Sequence, residues 1–96
     1  MNRQEIKNDI EGGDWKRIYS SHLTAVAWLR QRDQTGALGS ALGKLYVEFT
    51  DGRMYLYFNV PYNVFYYLWR GAPSKGRYFH SHIRTTFSYQ RDVHNA

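Results

Sequence analysis

The alternation of apolar and polar positions is strongest in the middle of the chain, in residues 44–59. Two alternating runs flank Asp51-Gly52, a residue pair typical of the two-residue type I′ turn of a β-hairpin. A loop of two residues fixes the register of the strands, and one face of the hairpin then forms the core. The pairs predicted on that buried face are Phe49 with Met54, Val47 with Leu56 and Leu45 with Phe58. The outer face carries three tyrosines and an arginine: Tyr46, Tyr55, Tyr57 and Arg53.

A further strand is predicted upstream of the hairpin, at about residues 22–30. The segment is rich in small, β-branched and aromatic side chains, which favour a strand. Its apolar residues Leu23 and Val26 are three positions apart, so strict alternation fails once. This irregular spacing indicates a β-bulge near Thr24.

Two polar segments border these strands. Residues 2–11 alternate in charge and have only Ile6 and Ile10 as apolar positions, one helical turn apart, and they predict a short helix with a narrow apolar stripe. Residues 31–43 contain three glycines and no long apolar period, which predicts a flexible connection. The predicted parts of the chain are an N-terminal helical extension at 1–18, a domain at 19–91 and a tail at 92–96.

After the hairpin, the apolar period lengthens to that of a helix. Val64 and Leu68 are one turn apart, Pro61 suits the first helical position, and Gly71 suits a left-handed stop. These signals predict a helix at about 61–70. Its aromatic residues surround the helix, so more than one face has to be covered.

A second helix is predicted at about 78–84, where Phe79 and Ile83 repeat the one-turn spacing. The closing residues 85–91 alternate again and allow a last strand. The expected fold class is therefore α+β: a small antiparallel sheet, with the central hairpin and the strand near 22–30, packed with one or two short helices and preceded by an extra N-terminal helix.

Length and composition restrict the class of protein. The chain has 96 residues, about the size of one domain. It has no cysteine, which excludes disulfides, thiolate catalysis and cysteine-ligated zinc, and fits a reducing compartment. The first residues are polar, and no apolar run is long enough to span a bilayer. We expect a cytoplasmic protein without a membrane partner.

Positive charge is concentrated in the second half of the chain. The formal net charge is +5, and no acidic residue occurs between Arg53 and Arg91. A segment of one sign that folds onto one face attracts phosphates or acidic protein surfaces. An ordinary solvated basic surface is the alternative interpretation of the same composition.

The stretch SKGRYFHSHIR, residues 74–84, holds the densest group of candidate ligand-binding side chains. Part of it precedes the predicted helix, where free backbone N–H groups favour an anion. His80 and Arg84 are one turn apart on the side opposite the apolar pair. Tyrosines of the outer hairpin face would add stacking platforms for bases. The predicted binding residues are Tyr46, Arg53, Tyr55, Tyr57, Ser74, Lys75, Arg77, His80 and Arg84.

Catalytic and metal motifs are weak in this sequence. Four of the eight carboxylates fall in the N-terminal segment, and Glu48 is the one acid placed among aromatic residues. His80 and His82 form only a His-x-His pair, which on a helix points to two different sides. No glycine-rich phosphate loop with its lysine is present. We therefore predict no catalytic residues, no metal and no cofactor, and a protein that is not an enzyme.

These motifs, taken together, resemble the KTSC domain, a short module found at the carboxyl end of some lysyl-tRNA synthetases and in free-standing bacterial and phage proteins. The likeness covers about residues 19–91. It is carried by paired serines, a tyrosine-x-tyrosine and an S-x-G-x-Y-F motif with a following Ile-Arg: Ser20, Ser21, Tyr55, Tyr57, Ser74, Gly76, Tyr78, Phe79, Ile83 and Arg84. The chain departs from the family at His80, often asparagine, and in a longer 31–43 segment. The resemblance implies a small α+β domain, and the synthetase association suggests RNA binding.

The expected function is a non-enzymatic module that binds RNA or single-stranded nucleic acid through cations and tyrosines. One alternative is a small inhibitory or protein-interaction factor of the kind that phages direct at host machinery, because Tyr, Trp and Arg are also enriched in protein hot spots. Another is a pocket that sequesters a nucleotide signal. The sequence leaves open whether the protein forms a homo-oligomer.

Overall fold

The computed structural model describes residues 15–18, 20–31 and 41–91, and these form an antiparallel sheet covered by helices. The strands are β1 Lys16–Arg17, β2 Leu23–Arg30, β3 Leu42–Phe49, β4 Met54–Pro61 and β5 Tyr89–Arg91. The helices are α1 Tyr62–Tyr66, which continues into a π-helical turn at Tyr67–Gly71, and α2 Lys75–His82. The strand order is β1-β2-β3-β4-β5. The predicted α+β class is confirmed.

Three predictions fall wholly or mainly outside the described residues: the helix at 2–11, most of the 31–43 connection and the tail at 92–96. At the end of that connection, Leu42 and Gly43 already belong to β3 and pair with β4. The short strand β1 was not indicated by the sequence pattern. No helix within the described ranges has the length and apolar character needed to cross a membrane.

The main core lies between one face of the sheet and the helices. The central strands contribute Leu45, Val47 and Tyr57, and the helices contribute Phe65, Leu68, Phe79 and Ile83. The opposite face of the sheet has a smaller cluster of Ala27 and Met54, against which Trp15 and Tyr46 pack. Burial of the large side chains in the first cluster supplies most of the apolar stabilisation of so short a chain.

The hairpin loop has three residues, not two. The N–H of Phe49 donates to the carbonyl of Arg53 at 2.9 Å, and the N–H of Gly52 donates to the carbonyl of Phe49 at 3.0 Å. Gly52 has a φ of 94°, whereas Asp51 does not have a positive φ, so the predicted type I′ turn is wrong. A glycine in this position is typical of the three-residue hairpin loop.

The extra loop residue moves every side chain at the hairpin end of β4 to the face opposite the predicted one, because successive strand residues alternate in direction. The observed partners are Leu45 with Tyr57, Val47 with Tyr55, Tyr46 with Leu56 and Glu48 with Met54. The predicted pairing of Phe49 with Met54, Val47 with Leu56 and Leu45 with Phe58 is therefore wrong. Tyr55 and Tyr57 face the helices, and Met54 and Leu56 face away from them.

The β-bulge predicted near Thr24 is confirmed. The pairing of β2 with β3 shifts between Leu23 and Ala25, which leaves Thr24 as the extra residue. Farther along β2, the indole N–H of Trp28 donates to the carbonyl of Val60 at 2.9 Å. This bond ties β2 to the end of β4 across the helix-covered face.

The helix predicted at 61–70 is present, but the left-handed stop predicted at Gly71 is wrong. Pro61 is the N-cap, and the last turn is π-helical, with the N–H of Ala72 donating to the carbonyl of Tyr67 at 2.7 Å. Gly71 is the last residue of this turn and does not have a positive φ. A Cβ at this position would lie 2.5 Å from the Tyr67 ring, so a larger residue would require that ring to move.

Helix α2 begins three residues earlier than the predicted 78–84. Ser74 is its N-cap, and the Ser74 hydroxyl accepts a hydrogen bond from the N–H of Arg77 at 3.3 Å, as serine caps commonly do. Phe79 and Ile83 are buried in the main core as predicted. The predicted last strand is β5, which pairs with β4 next to Tyr55 and Tyr57.

Candidate anion-binding cleft

A cleft of about 320 Å³ lies between α2 and the β3–β4 hairpin. Its main polar lining residues come from the start of β2, the hairpin and α2: His22, Asp51, Arg53, Tyr55, Tyr57, His80 and Arg84. We call this the hairpin–helix cleft. Its floor is apolar, with Leu23 and Phe79 among the buried residues that line it. Five of the nine predicted binding residues therefore meet in one concave site, namely Arg53, Tyr55, Tyr57, His80 and Arg84.

Arg53 enters the cleft from the hairpin loop and is held by Asp51. The Arg53 Nε donates to Asp51 Oδ2 at 2.8 Å, and the Arg53 backbone N–H donates to Asp51 Oδ1 at 3.1 Å. The backbone hydrogen bond from Arg53, followed by the interactions of its side chain, lowers the pKa of Asp51. The Arg53 Cζ lies 5.4 Å from the Phe49 ring centroid and 5.8 Å from that of Tyr55. Asp51 and the rings thus fix the direction of this guanidinium.

Arg84 reaches the cleft from the end of α2. Its Nη1 lies 3.1 Å from Nδ1 of His80. Arginine has only donors, so His80 accepts this hydrogen bond at Nδ1. Both side chains are exposed, and Phe79 and Ile83 on the opposite side of the same turns are buried. The predicted placement of His80 and Arg84 on one outer side of the helix is confirmed.

The three tyrosines beside the cleft form a cluster in which every pair of rings is in contact. Tyr55 is half-buried, with centroid distances of 6.2 Å to Tyr57 and 5.7 Å to Tyr89, and Tyr57 and Tyr89 are 5.6 Å apart. Tyr57 is only 1% exposed, so the prediction of an outward-facing stacking platform at this position is wrong. The register shift is the reason, because it turns Tyr57 towards Phe79. Tyr89 is 53% exposed and is the most accessible ring of the cluster.

Burial raises the pKa of Tyr57 well above its ordinary value, and the neighbouring phenols of Tyr55 and Tyr89 raise it further. The nearby positive charge of Arg84 acts in the opposite direction on the pKa of Tyr57. The phenol therefore remains neutral at physiological pH and can act as a hydrogen-bond donor.

Ser74, Lys75 and Arg77 do not enter the hairpin–helix cleft. They line an adjoining groove of about 280 Å³ at the start of α2, opposite Ser20 and Ser21. The Ser74 hydroxyl is occupied by the helix cap, and the Lys75 Nζ donates to the carbonyl of Ala72 at 2.9 Å. The predicted single cluster of residues 74–84 is thus divided between two concave sites. The two sites adjoin each other, because His22 and Gly76 line both.

Tyr46 lies away from both sites. It is on the sheet face that the helices do not cover, where its ring centroid is 6.1 Å from that of Trp15. The prediction placed Tyr46 beside Tyr57, but Tyr46 pairs with Leu56. The three-residue loop separates these two tyrosines, and Tyr46 is not part of the candidate site.

The sequence pattern missed several residues that complete the site. His22 lines the cleft from the first turn of chain before β2, and Asp51 does so from the hairpin loop. Tyr89 and Arg91 lie along a third groove that shares Tyr55, Tyr57 and Arg84 with the cleft. The alternation in 85–91 indicated a strand, and its pairing with β4 would have placed Tyr89 beside Tyr57. No local sequence pattern predicts that His22 lines the cleft, since its position depends on how α2 packs beside the start of β2.

Metal ligation finds no support among the residues in the described ranges. No three histidine, cysteine, aspartate or glutamate side chains there come close enough together to hold a metal ion.

Comparisons with known proteins agree with this architecture. Residues 40–87, half of the chain, match the KTSC domain. Among solved structures, a KTSC domain protein from Yersinia pestis is similar, with a TM-score of 0.60 and 22% identity over 81% of this chain and 94% of that chain. At this identity, the likeness shows a shared fold. No curated protein matches the sequence. The resemblance noted in the motifs is thus confirmed, and the chain belongs to the KTSC domain family.

Proposed function

We propose that this protein is a non-enzymatic module that binds RNA or single-stranded nucleic acid in the cytoplasm, through the hairpin–helix cleft and the tyrosines beside it. The observation that carries the proposal is the meeting of Arg53 and Arg84 in one cleft, next to a tyrosine cluster that includes the exposed ring of Tyr89. Cations that follow the backbone and rings that accept bases are the two parts of a single-stranded nucleic-acid site.

The charges in and around the cleft favour a phosphate. Arg53 and Arg84 contribute two guanidinium groups, and Asp51 offsets one of them. His22 and His80 add two imidazoles that can donate hydrogen bonds. The adjoining groove adds Lys75 and Arg77, so a strand that lay across both sites would meet cations in each.

The aromatic stack supports base binding next to the cleft. Tyr55 and Tyr89 are nearly parallel, with an interplanar angle of 16°. The Cζ of Arg91 lies 6.0 Å from the Tyr55 ring centroid. A base could stack on the exposed ring of Tyr89, and such stacking contributes about 1–3 kcal/mol per base.

The proposal includes no catalytic step. The carboxylate of the cleft, Asp51, is paired with Arg53, and its pKa is lowered. An acid held in the ionised state by a guanidinium suits the positioning of that guanidinium better than proton transfer.

The test is fluorescence anisotropy with a labelled single-stranded RNA at several salt concentrations. We expect log affinity to fall nearly linearly with log salt, and we expect Arg53→Ala and Arg84→Ala each to reduce the slope by about one unit. Arg70→Ala is the matched control, because Arg70 is exposed and lies against the Trp69 ring outside the cleft. Equal affinity of all three variants and the unmodified protein would contradict the proposal.

A protein-docking role is the second candidate, and a different surface favours it. Tyr66 and Tyr67 on the helical segment after β4 are 47% and 45% exposed, and aromatic residues with arginine are typical of protein hot spots. Binding through this surface would vary little with salt. Tyr66→Ala would then reduce partner binding, and Arg84→Ala would leave it unchanged.

A further inference from the structure

Tyr57 lines the hairpin–helix cleft, and no residue in the described ranges forms a hydrogen bond with its hydroxyl. The side chain is 1% exposed, and Tyr57 also lines the groove next to β5. Its described contacts are ring contacts with Tyr55, Phe79 and Tyr89. The ring is buried, but the hydroxyl is not one of the fully buried side-chain atoms without a partner, so it opens onto the cleft and can donate to an acceptor that enters there.

Arg84 is the cationic residue whose charge acts on this hydroxyl. Its guanidinium lines the same two concavities, and its charge acts directly on the ionisation of Tyr57, lowering the pKa of that phenol against the effect of burial. An acceptor bound to the Tyr57 hydroxyl therefore also lies within the field of Arg84. A neutral phenol donor beside a guanidinium is a suitable pair for an anionic oxygen.

We propose that the hairpin–helix cleft binds a terminal phosphate, a phosphomonoester at the end of a nucleic-acid strand, with the Tyr57 hydroxyl donating to one phosphate oxygen and Arg84 pairing with the group. This inference rests on the proposed function and specifies which part of the strand enters the cleft.

The charge of the group favours a chain end over an internal phosphate in this cleft. An internal phosphodiester carries one charge, whereas a phosphomonoester carries about −1.5 to −2 and three strong acceptor oxygens. Arg53 and the two imidazoles line the cleft as further donors for those oxygens.

The experiment measures competition by three unlabelled RNAs of one sequence, with a 5′-phosphate, a 3′-phosphate or hydroxyls at both ends, against an internally labelled RNA. We expect one phosphorylated form to compete about tenfold better than the unphosphorylated form, the size of one charge-assisted hydrogen bond. The two phosphorylated arms identify which end is bound. Tyr57→Phe keeps the ring in the core and should reduce the preference to less than about threefold.

Two further variants keep the test decisive. Arg84→Gln changes an exposed residue and should reduce the same preference, even if Tyr57→Phe fails to fold by circular dichroism. Tyr62→Phe is the control, because Tyr62 packs against Trp28 at a centroid distance of 5.1 Å and should leave the preference unchanged.

The outcomes separate this inference from the proposed function. Equal competition by all three RNAs would overturn the terminal-phosphate site and leave RNA binding in place. Competition by a nucleoside monophosphate as strong as that of the RNA, with sensitivity to Tyr57→Phe, would support the terminal-phosphate site and overturn the role of the strand. A preference that persists in both Tyr57→Phe and Arg84→Gln would overturn the assignment of these two residues.

Discussion

The guanidinium of Arg84 is held by an imidazole, since its Nη1 lies 3.1 Å from Nδ1 of His80 and arginine can only donate. Arg53, in contrast, is held by the carboxylate of Asp51 at 2.8 Å. The two arginines of the hairpin–helix cleft are therefore positioned in different ways. Arg84 keeps its full charge for a ligand, whereas the charge of Arg53 is partly balanced by Asp51.

Substitution of His80 should weaken nucleic-acid binding without affecting the fold. His80→Ala leaves Arg84 without the bond that orients it, and we expect affinity for single-stranded RNA to fall about two- to tenfold, the value of one hydrogen bond. His82→Ala is the control, because His82 lies on the same helix but packs against Tyr78 at 4.6 Å. Anisotropy titrations measure both variants, and an equal loss in the two would contradict a specific role for His80.

Asp51→Asn should strengthen the binding of nucleic acid. The change removes the negative charge beside Arg53 and preserves an acceptor for the turn, so we expect affinity to rise about two- to fivefold at low salt, in the range of a single exposed ion pair. Salt screening should abolish the gain. Titrations at low and high ionic strength test this, and weaker binding at low salt would show that Asp51 positions Arg53 more than it neutralises it.

Alkaline pH should destabilise the protein through Tyr57. Burial raises the folded-state pKa of Tyr57, while an unfolded tyrosine has a pKa of about 10. Above that pH the unfolded state loses a proton that the folded state retains, so the free energy of unfolding falls. Urea denaturation at successive pH values measures the decrease in the free energy of unfolding. We expect this decrease to be smaller in Tyr57→Phe than in the unmodified protein, and identical pH profiles of the two proteins would place the Tyr57 hydroxyl in water.

Truncation of Leu45 should destabilise the protein because this side chain lies in the main core. Leu45 is fully buried on that face, and Leu45→Ala should reduce the free energy of unfolding by about 2–5 kcal/mol. Leu29, at the exposed end of β2, is the control, with an expected change within about 0.5 kcal/mol for Leu29→Ala. Denaturant titration compares the two, and a small effect of Leu45→Ala would contradict the core described above.

Gly52→Ala should destabilise the hairpin by about 1–3 kcal/mol, because Gly52 has a φ of 94°, a backbone conformation that alanine adopts only with strain. Gly76→Ala provides the contrast. Gly76 is helical, and an added Cβ would meet the Ser20 Oγ at 3.4 Å, which is ordinary contact. Thermal melting distinguishes the two substitutions, and a higher melting temperature for Gly52→Ala would exclude the three-residue loop.

The elements of the fold could be predicted from local patterns, but the register of the hairpin could not. Asp51-Gly52 fits a loop of two residues and also a loop of three in which glycine takes the left-handed position. The apolar pattern could not decide between them, because β4 reads MYLYF and has large hydrophobic or aromatic side chains on both faces. The choice depends on which face the helices cover, and that is a tertiary property.

The candidate site was predictable in its residue types and less so in its geometry. His80 and Arg84 could be placed together because helical spacing is local. The meeting of these residues with Arg53 and His22 depends on packing between distant segments. Tyr46 and Tyr57 were misplaced by the register, and Ser74, Lys75 and Arg77 were separated from the cleft because α2 starts earlier than its apolar pair indicated.

Both edge strands of the sheet are short. In the ranges that the structure describes, the outermost strands are β1, two residues long with Lys16 and Arg17, and β5, three residues long and ending in Arg91. A short edge strand exposes few unpaired backbone groups of its own, and its positive side chains repel the same edge of a second molecule. Concentrated solutions of this domain should therefore resist edge-to-edge aggregation, although the sheet between those borders is rich in aromatic residues.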